Sequence, residues 1–365
     1  MLVEVKINIL KKEGKINIKI LYLPNSLLKK KMNLFKRKVA VLGSGSWATA
    51  IVKILSDNLP SIYWWVRELE ILESVQNTGR NSMYLSSVAI DEKHVKVSND
   101  LIKTVSKADI IVLVIPSAYL HRTISELEPR HLENKSIISA IKGIVPERME
   151  FITDYLMNHY HVVPDQLGII SGPSHAEEIA WRKTTFLTSA SLNPELATEI
   201  ADFFRCDYVQ TNVSDDIFGI EFSIVLKNIY ALAAGIFRGM GAGDNLLALF
   251  NTNCINEMTH FISSIHPDKD RNFFTAPYLG DFLVTTYSQH SRNRAFGVMI
   301  GQGYSIRTAQ LEMKMVAEGY YACRCIHEIN MKYKIDTPII DTVYNILYEK
   351  ASFRQEMYNL LKSMK

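Results

Sequence analysis

Cysteine is scarce: four in 365 residues, Cys206, Cys254, Cys323 and Cys325, all in the second half of the chain. That excludes a disulfide-stapled scaffold, which spreads paired cysteines through a short secreted chain, and it points to a reducing, cytoplasmic compartment. Cys323 and Cys325 stand one residue apart, yet no second pair at zinc-site spacing accompanies them, so packing explains them and no metal is expected. Charge of one sign is lacking too. A net charge of +3 gives no bulk field for nucleic acid or a membrane surface. There is no internal repeat and no low-complexity tract, and residues 1–31 hold many lysines with alternating Ile and Val but no apolar stretch of export-signal type. Residues 1–35 are read as an extension outside the fold, with Met32 as a candidate start. The segment 217–237 is apolar enough for a membrane span, but Glu221 and Lys227 interrupt it, so it reads as a buried helix and no span is expected.

What is present is an ordinary globular composition, 47% hydrophobic and 22% charged, at a length that suits two domains better than one core. From residue 38 to about 211, short β-branched runs alternate with helix-like stretches. Strands are predicted at 39–42, 62–66, 110–115, 136–140 and 167–171, in a parallel sheet covered on both faces. Beyond Ser214 the strand pattern stops, and long helical stretches follow, with turns at 239–243, at 266–270 and at Pro277. The expected division is a dinucleotide-binding domain over 36–214 and a helical substrate and catalytic domain over 215–365, with a cleft between them.

The first strand runs into Gly43-Ser44-Gly45-Ser46-Trp47-Ala48, and apolar positions Ala48, Ile51, Val52 and Leu55 then follow helical spacing. Gly43 lets the backbone turn, Gly45 leaves room for a pyrophosphate, and small Ala48 lets the helix pack close to the strand. The free N–H groups at the helix start face the phosphates. The fold implied is a Rossmann-like, doubly wound parallel sheet with an all-α C-terminal domain, and the cofactor is NAD or NADP. No acid ends the second strand. Arg67 stands there, which suits a 2′-phosphate and favours NADP, while Glu68 beside it keeps NAD open. Three more turns, at Pro116-Ser117, Lys142-Gly143 and Gly172-Pro173-Ser174-His175-Ala176, follow strands at the same sheet edge and suggest a shared cleft.

Lys227 lies in the apolar helix among Ile224, Leu226, Tyr230 and Leu232, where loss of water favours its neutral form. An ammonium so placed is suited to hand a proton to an alkoxide as hydride reaches a ketone; an unremarkable lysine reaching out to solvent fits the same residue alone. Ser291-Arg292-Asn293-Arg294 precedes another apolar run, and a helix start with arginines suits a phosphate, Ser291 serving as cap.

These blocks occur together and in order. The stretch GlySerGlySerTrpAlaThrAla at 43–50, then 116–117, 142–143, 172–178, 226–235, 279–281, 291–294 and 317–319, closely resembles the bacterial glycerol-3-phosphate dehydrogenase family from about Lys38 onward. The resemblance implies NAD(P)H-dependent reduction of dihydroxyacetone phosphate to sn-glycerol 3-phosphate for phospholipid synthesis. It also implies roles. Ser46, Trp47, Arg67 and Ala176 would touch the cofactor, Lys142 both cofactor and substrate, and Gly172 and Ser174 the substrate. Lys227 would be proton donor and acceptor, with Asp281 orienting it and the substrate. Ser291, Arg292 and Asn293 would hold the phosphate, and Arg292 and Glu318 would reach the cofactor from the helical side. Gly43, Gly45 and Ser117 complete the expected cofactor set. The chain departs from the family at 275–278, where Thr-Ala-Pro-Tyr replaces Gly-Leu-Ala-Gly, and at Thr252-Asn253, where the family commonly has Thr-Arg. The first departure leaves open a related two-domain dehydrogenase for another phosphorylated or acidic ketone. A cofactor-binding sensor without turnover is the remaining alternative, and a homodimer is expected from the extensive helical part.

Overall fold

The computed structural model describes residues 5–12, 15–22, 37–313 and 317–364; the candidate start at Met32 lies outside them. Within the N-terminal segment, strands β1 (Val5–Lys12) and β2 (Lys15–Tyr22) pair antiparallel with each other and with no other described strand.

The main sheet has eight strands: β3 (Val39–Leu42), β4 (Ile62–Trp65), β5 (Val95–Ser98), β6 (Ile110–Leu113), β7 (Ser136–Ser139), β8 (Leu167–Ser171), β9 (Thr185–Ala190) and β10 (Val209–Ser214). Their order is β10-β9-β8-β7-β6-β3-β4-β5. All five expected strands are present, ending within two residues of the predicted bounds. Two corrections follow. First, β5, β9 and β10 were not predicted, because Lys, Thr, Ser, Gln and Asn dilute their apolar pattern. Second, the sheet is not wholly parallel: β9 runs antiparallel to β8, and β10 follows β9 in parallel. Apolar runs report burial on both faces, not strand direction.

Side-chain alternation splits each central strand between two cores. Val39, Val41, Ile110 and Val112 face the cluster under helices α1 (Ser46–Asn58) and α3 (Pro194–Phe204). Ala40, Leu42, Ile111 and Leu113 face the other cluster, which runs on through α2 (Ser117–Ile124) into the helical part of the chain. Helices cover both faces, so the expected doubly wound α/β arrangement followed by an all-helical region is what the chain adopts.

The helical region is organised around α4 (Ile217–Gly239), buried nearly throughout. It is the one described helix long and apolar enough to cross a membrane, and it is core instead, with 89% of its most apolar window buried. An all-round apolar helix needs neighbours on every side. They are α5 (Asp244–Ile265), α6 (Asp281–Tyr287), α7 (Arg292–Gly301), α8 (Glu318–Tyr333) and α9 (Pro338–Leu347), with α10 (Phe353–Ser363) closing the chain. The α4–α7 crossing is made by glycines. A methyl group added at Gly235, Gly239, Gly297 or Gly301 would collide with the backbone carbonyl oxygen of Arg294, Val298, Leu232 or Ile236 respectively, so the two main chains touch.

The start of α4 is tied down by Asp216, whose side chain accepts from the Gly219 N–H at 3.0 Å. Arg271 donates to the same carboxylate from Nε at 2.6 Å and Nη2 at 2.8 Å, and the Tyr278 hydroxyl donates to it as well. The unusual 275–278 stretch is thereby pinned, and it leads through a wide turn, Ala276–Gly280, directly into Asp281.

Candidate active site

A cavity of about 560 Å³ opens between the carboxyl edge of the sheet and the helical region. Its floor is the glycine loop. Gly43 adopts φ 139°, a conformation side chains avoid, and a methyl there would strike the Val114 carbonyl. Gly45, the residue before α1, has open space where a side chain would project, nothing lying within 4 Å. The amino end of α1 therefore presents Ser46 and backbone N–H groups to an unobstructed volume. Trp47 turns inward and donates from Nε1 to the Ala140 carbonyl at 3.0 Å, and its ring lies under the Lys142 ammonium, 5.4 Å from the centroid.

At the centre, α4 brings Lys227 against Asp281 at the start of α6. Both are essentially without solvent contact, at 1% and 0%, and the lysine donates to Oδ2 of the aspartate. Burial pushes the Lys227 ammonium well below its ordinary range; Asp281 opposes this and Lys142 adds to it. Burial alone would raise the Asp281 carboxyl, but Lys142 and Lys227 hold it below the ordinary carboxylate range. Lys142 stands 3.8 Å from Oδ1 and donates to the Ser174 hydroxyl at 3.3 Å. Oδ1 itself is buried with no hydrogen-bond partner. An ammonium whose proton is weakly held, beside an open acceptor, borders the cavity.

Above this pair the start of α7 presents Ser291, Arg292 and Asn293. Ser291 caps the helix, its hydroxyl accepting from the Arg294 N–H at 3.3 Å, as its position suggested. Asn293 donates to the Asn228 side-chain oxygen at 2.9 Å and accepts from the Gly319 N–H at 2.8 Å; Asn228 in turn donates to the Lys142 carbonyl at 2.7 Å. One amide chain thus fixes the lysine loop, α4, α7 and α8 relative to each other. Neither role of Asn228 was read from the sequence, although it adjoins Lys227. His175 was also passed over. It lines the cavity, its Nε2 is buried without a partner, and burial followed by Lys142 keeps its imidazole below its ordinary range.

Of the residues expected from the sequence, Gly43, Gly45, Ser46, Trp47, Arg67, Lys142, Ser174, Ala176, Lys227, Asp281, Ser291, Arg292, Asn293 and Glu318 all line this one cavity. Ser117 and Gly172 do not. Ser117 is buried behind Glu318, which accepts both its N–H, at 3.0 Å, and its hydroxyl. Gly172, at φ 130°, leaves no room for a methyl group beside the Phe186 carbonyl, and its own carbonyl accepts from the Ser174 hydroxyl at 2.9 Å. Each is hydrogen-bonded to a residue of the cavity wall, Ser117 to Glu318 and Gly172 to Ser174. Arg67 lines the cavity but pairs with Glu68 at 2.6 Å. The departure at Asn253 lies elsewhere, on a smaller hollow of about 210 Å³ beside α5.

Family comparisons agree with this arrangement. Residues 38–197 match the profile described as the NAD-dependent glycerol-3-phosphate dehydrogenase N-terminus, and 216–358 that of its C-terminus. The chain is 34% identical over 324 residues to a glycerol-3-phosphate dehydrogenase (NAD(P)+) of Oceanobacillus iheyensis, covering 89% of this chain and 93% of the relative. It is 33% identical over 336 residues to the corresponding protein of Syntrophomonas wolfei, covering 90% and 95%. The crystal structure of glycerol-3-phosphate dehydrogenase from Coxiella burnetii superposes with a TM-score of 0.83 at 28% identity, covering 90% of this chain and 99% of that one. Matched along both its sheet and its helical region, with a buried lysine facing an aspartate between them, this chain belongs to the NAD-dependent glycerol-3-phosphate dehydrogenase family.

Proposed function

We propose that the chain interconverts dihydroxyacetone phosphate and sn-glycerol 3-phosphate with NAD(P)H as hydride source, and that Lys227 is the proton donor and acceptor. The observation that carries the assignment is the Lys227–Asp281 pair, dry, partnered and on the cavity wall. The open volume over Gly45 and the free N–H groups of α1 fit a dinucleotide pyrophosphate, with Gly43, Ser46, Trp47, Ala176 and Glu318 around it. When bound, the nicotinamide supplies or takes the hydride at C2.

Every other step belongs to this chain. The start of α7, with Ser291, Arg292 and Asn293, receives the substrate phosphate. Lys142 and Ser174 close on the substrate from the sheet edge. As charge builds on the C2 oxygen, Lys227 donates a proton to it; Asp281 holds the ammonium in line and keeps it protonated against its desolvation. In reverse, the neutral amine takes the hydroxyl proton back. Residues 36–214 then form the cofactor domain and 215–365 the substrate and catalytic domain. The free cysteines support a cytoplasmic location, and the reaction suits the supply of phospholipid precursors. A homodimer is supported by Phe186 and Val213, exposed at the open β9–β10 end of the sheet.

The test follows NADH and NADPH absorbance with dihydroxyacetone phosphate and with other ketones. The native chain is expected to turn over this substrate, and Lys227→Ala to lose on the order of 10³-fold in kcat while binding cofactor unchanged. Equal rates for the two proteins would remove the lysine from the mechanism, and a preference for another ketone would reassign the substrate.

A further inference from the structure

At the end of the cavity where β4 meets the glycine loop, three side chains are locked together. Glu68 accepts from the Ser44 hydroxyl at 2.5 Å through one oxygen. Through the other it accepts from Arg67 Nε at 3.0 Å and Nη2 at 2.6 Å. All three residues lie on the cavity wall beside Gly43 and Gly45. The carboxylate is held by the loop that faces the pyrophosphate, while the arginine, 62% exposed, turns its fork sideways onto Glu68. Burial would raise the Glu68 carboxyl, but the Ser44 hydroxyl and Arg67 outweigh it and keep the group below its ordinary range, so it is anionic at neutral pH. In a doubly wound sheet the tip of the strand after the glycine loop is where the adenosine ribose of a dinucleotide lies.

We propose that Glu68 makes this chain select NADH over NADPH. A fixed carboxylate accepts hydrogen bonds from vicinal ribose hydroxyls. A 2′-phosphate replaces those donors with an anion, set against a negative oxygen pair that has already taken up the charge of the nearest arginine. The preference that Arg67 suggests when considered alone is thereby reversed: its fork is turned onto Glu68 instead of toward a 2′-phosphate. The proposal rests on the cofactor reading above, so its test is binding without any ketone present.

Fluorescence titration of the native protein with NADH and with NADPH is expected to give a Kd at least tenfold larger for NADPH. In Glu68→Gln, which keeps an acceptor for Ser44 but removes the charge, the two values should come within threefold of each other, chiefly through tighter NADPH. Adding Arg67→Ala to that variant should loosen NADPH again, because the released guanidinium is what then meets the 2′-phosphate. Glu68 is partly exposed, and an unchanged far-UV spectrum checks that the variants fold. The proposal is overturned if the native protein binds NADPH as tightly as NADH, or if Glu68→Gln keeps the native ratio. Binding of neither cofactor would overturn it together with the cofactor reading, whereas discrimination without turnover would sink only the assigned reaction.

Discussion

Asp281 and Glu257 are two carboxylates a few helices apart, both almost without solvent contact, and they are satisfied in opposite ways. Glu257, on α5, accepts from the backbone N–H groups of Ile339 at 2.7 Å and Ile340 at 3.2 Å, so both its oxygens close the first turn of α9. Burial raises its carboxyl to about 8 despite those bonds. Glu221 behaves alike, taking the N–H and hydroxyl of Thr153 at the start of the helix Ile152–Tyr160, and burial raises it to about 7. Asp281 instead faces two lysines, which hold it ionised, and one of its oxygens has no hydrogen-bond partner. Glu257 and Glu221 are saturated by donors at helix starts and tend toward neutrality. Asp281, on the cavity wall, is kept charged by lysines and left with an acceptor open, as a group proposed for proton chemistry should be.

The largest expected effect tests the chemical side of this contrast. Asp281→Asn keeps the shape but removes the charge that sustains the Lys227 ammonium. A fall on the order of 10²-fold or more in kcat/KM for dihydroxyacetone phosphate is expected, with the remaining activity shifted toward lower pH. A loss under tenfold would put Asp281 with the structural acids.

The middle effect tests the opposite side. Glu221 has a folded-state pKa raised above its unfolded value of about 4.5, so its contribution to stability is complete below that pH and is lost as pH rises through about 7. Urea unfolding of the native protein should lose on the order of 3 kcal/mol between those limits from this group, and Glu221→Gln should flatten that slope. An unchanged slope would show that Glu221 is not the group responsible.

The smallest effect is Glu257→Gln, which keeps one carbonyl acceptor for α9 but turns an amide toward the other N–H. Thermal unfolding should report a loss of about 1–2 kcal/mol, with kcat and KM within threefold of native. A selective collapse of activity would break the contrast from its structural end.

Much of this was legible in the residues, for reasons that differ from element to element. The glycine loop could be read because its function is carried by backbone shape, and Gly43 and Gly45 announce that directly. Lys227 could be read because a charge in an apolar helix has few explanations, and its neighbours in the family pattern removed the bland one. The direction of β9 could not, since Thr185–Ala190 has the same pattern whichever way it runs. The pinning of the 275–278 stretch was hidden because Asp216, Arg271 and Tyr278 are far apart in sequence and meet only after α4 forms. The setting of Arg67 was hidden in a more local way: it pairs with the next residue, Glu68, which is also held by Ser44 from another loop.

The glycine contact between α4 and α7 has a consequence for what this enzyme family member accepts. Lys227 rides on one helix and the turn proposed to receive the phosphate on the other, and at Gly235, Gly239, Gly297 and Gly301 no side chain stands between the two main chains. The crossing acts as a caliper, its jaws set by main-chain radii. A side chain added at any of those four glycines has to push the helices apart, and with them the span between Lys227 and that turn.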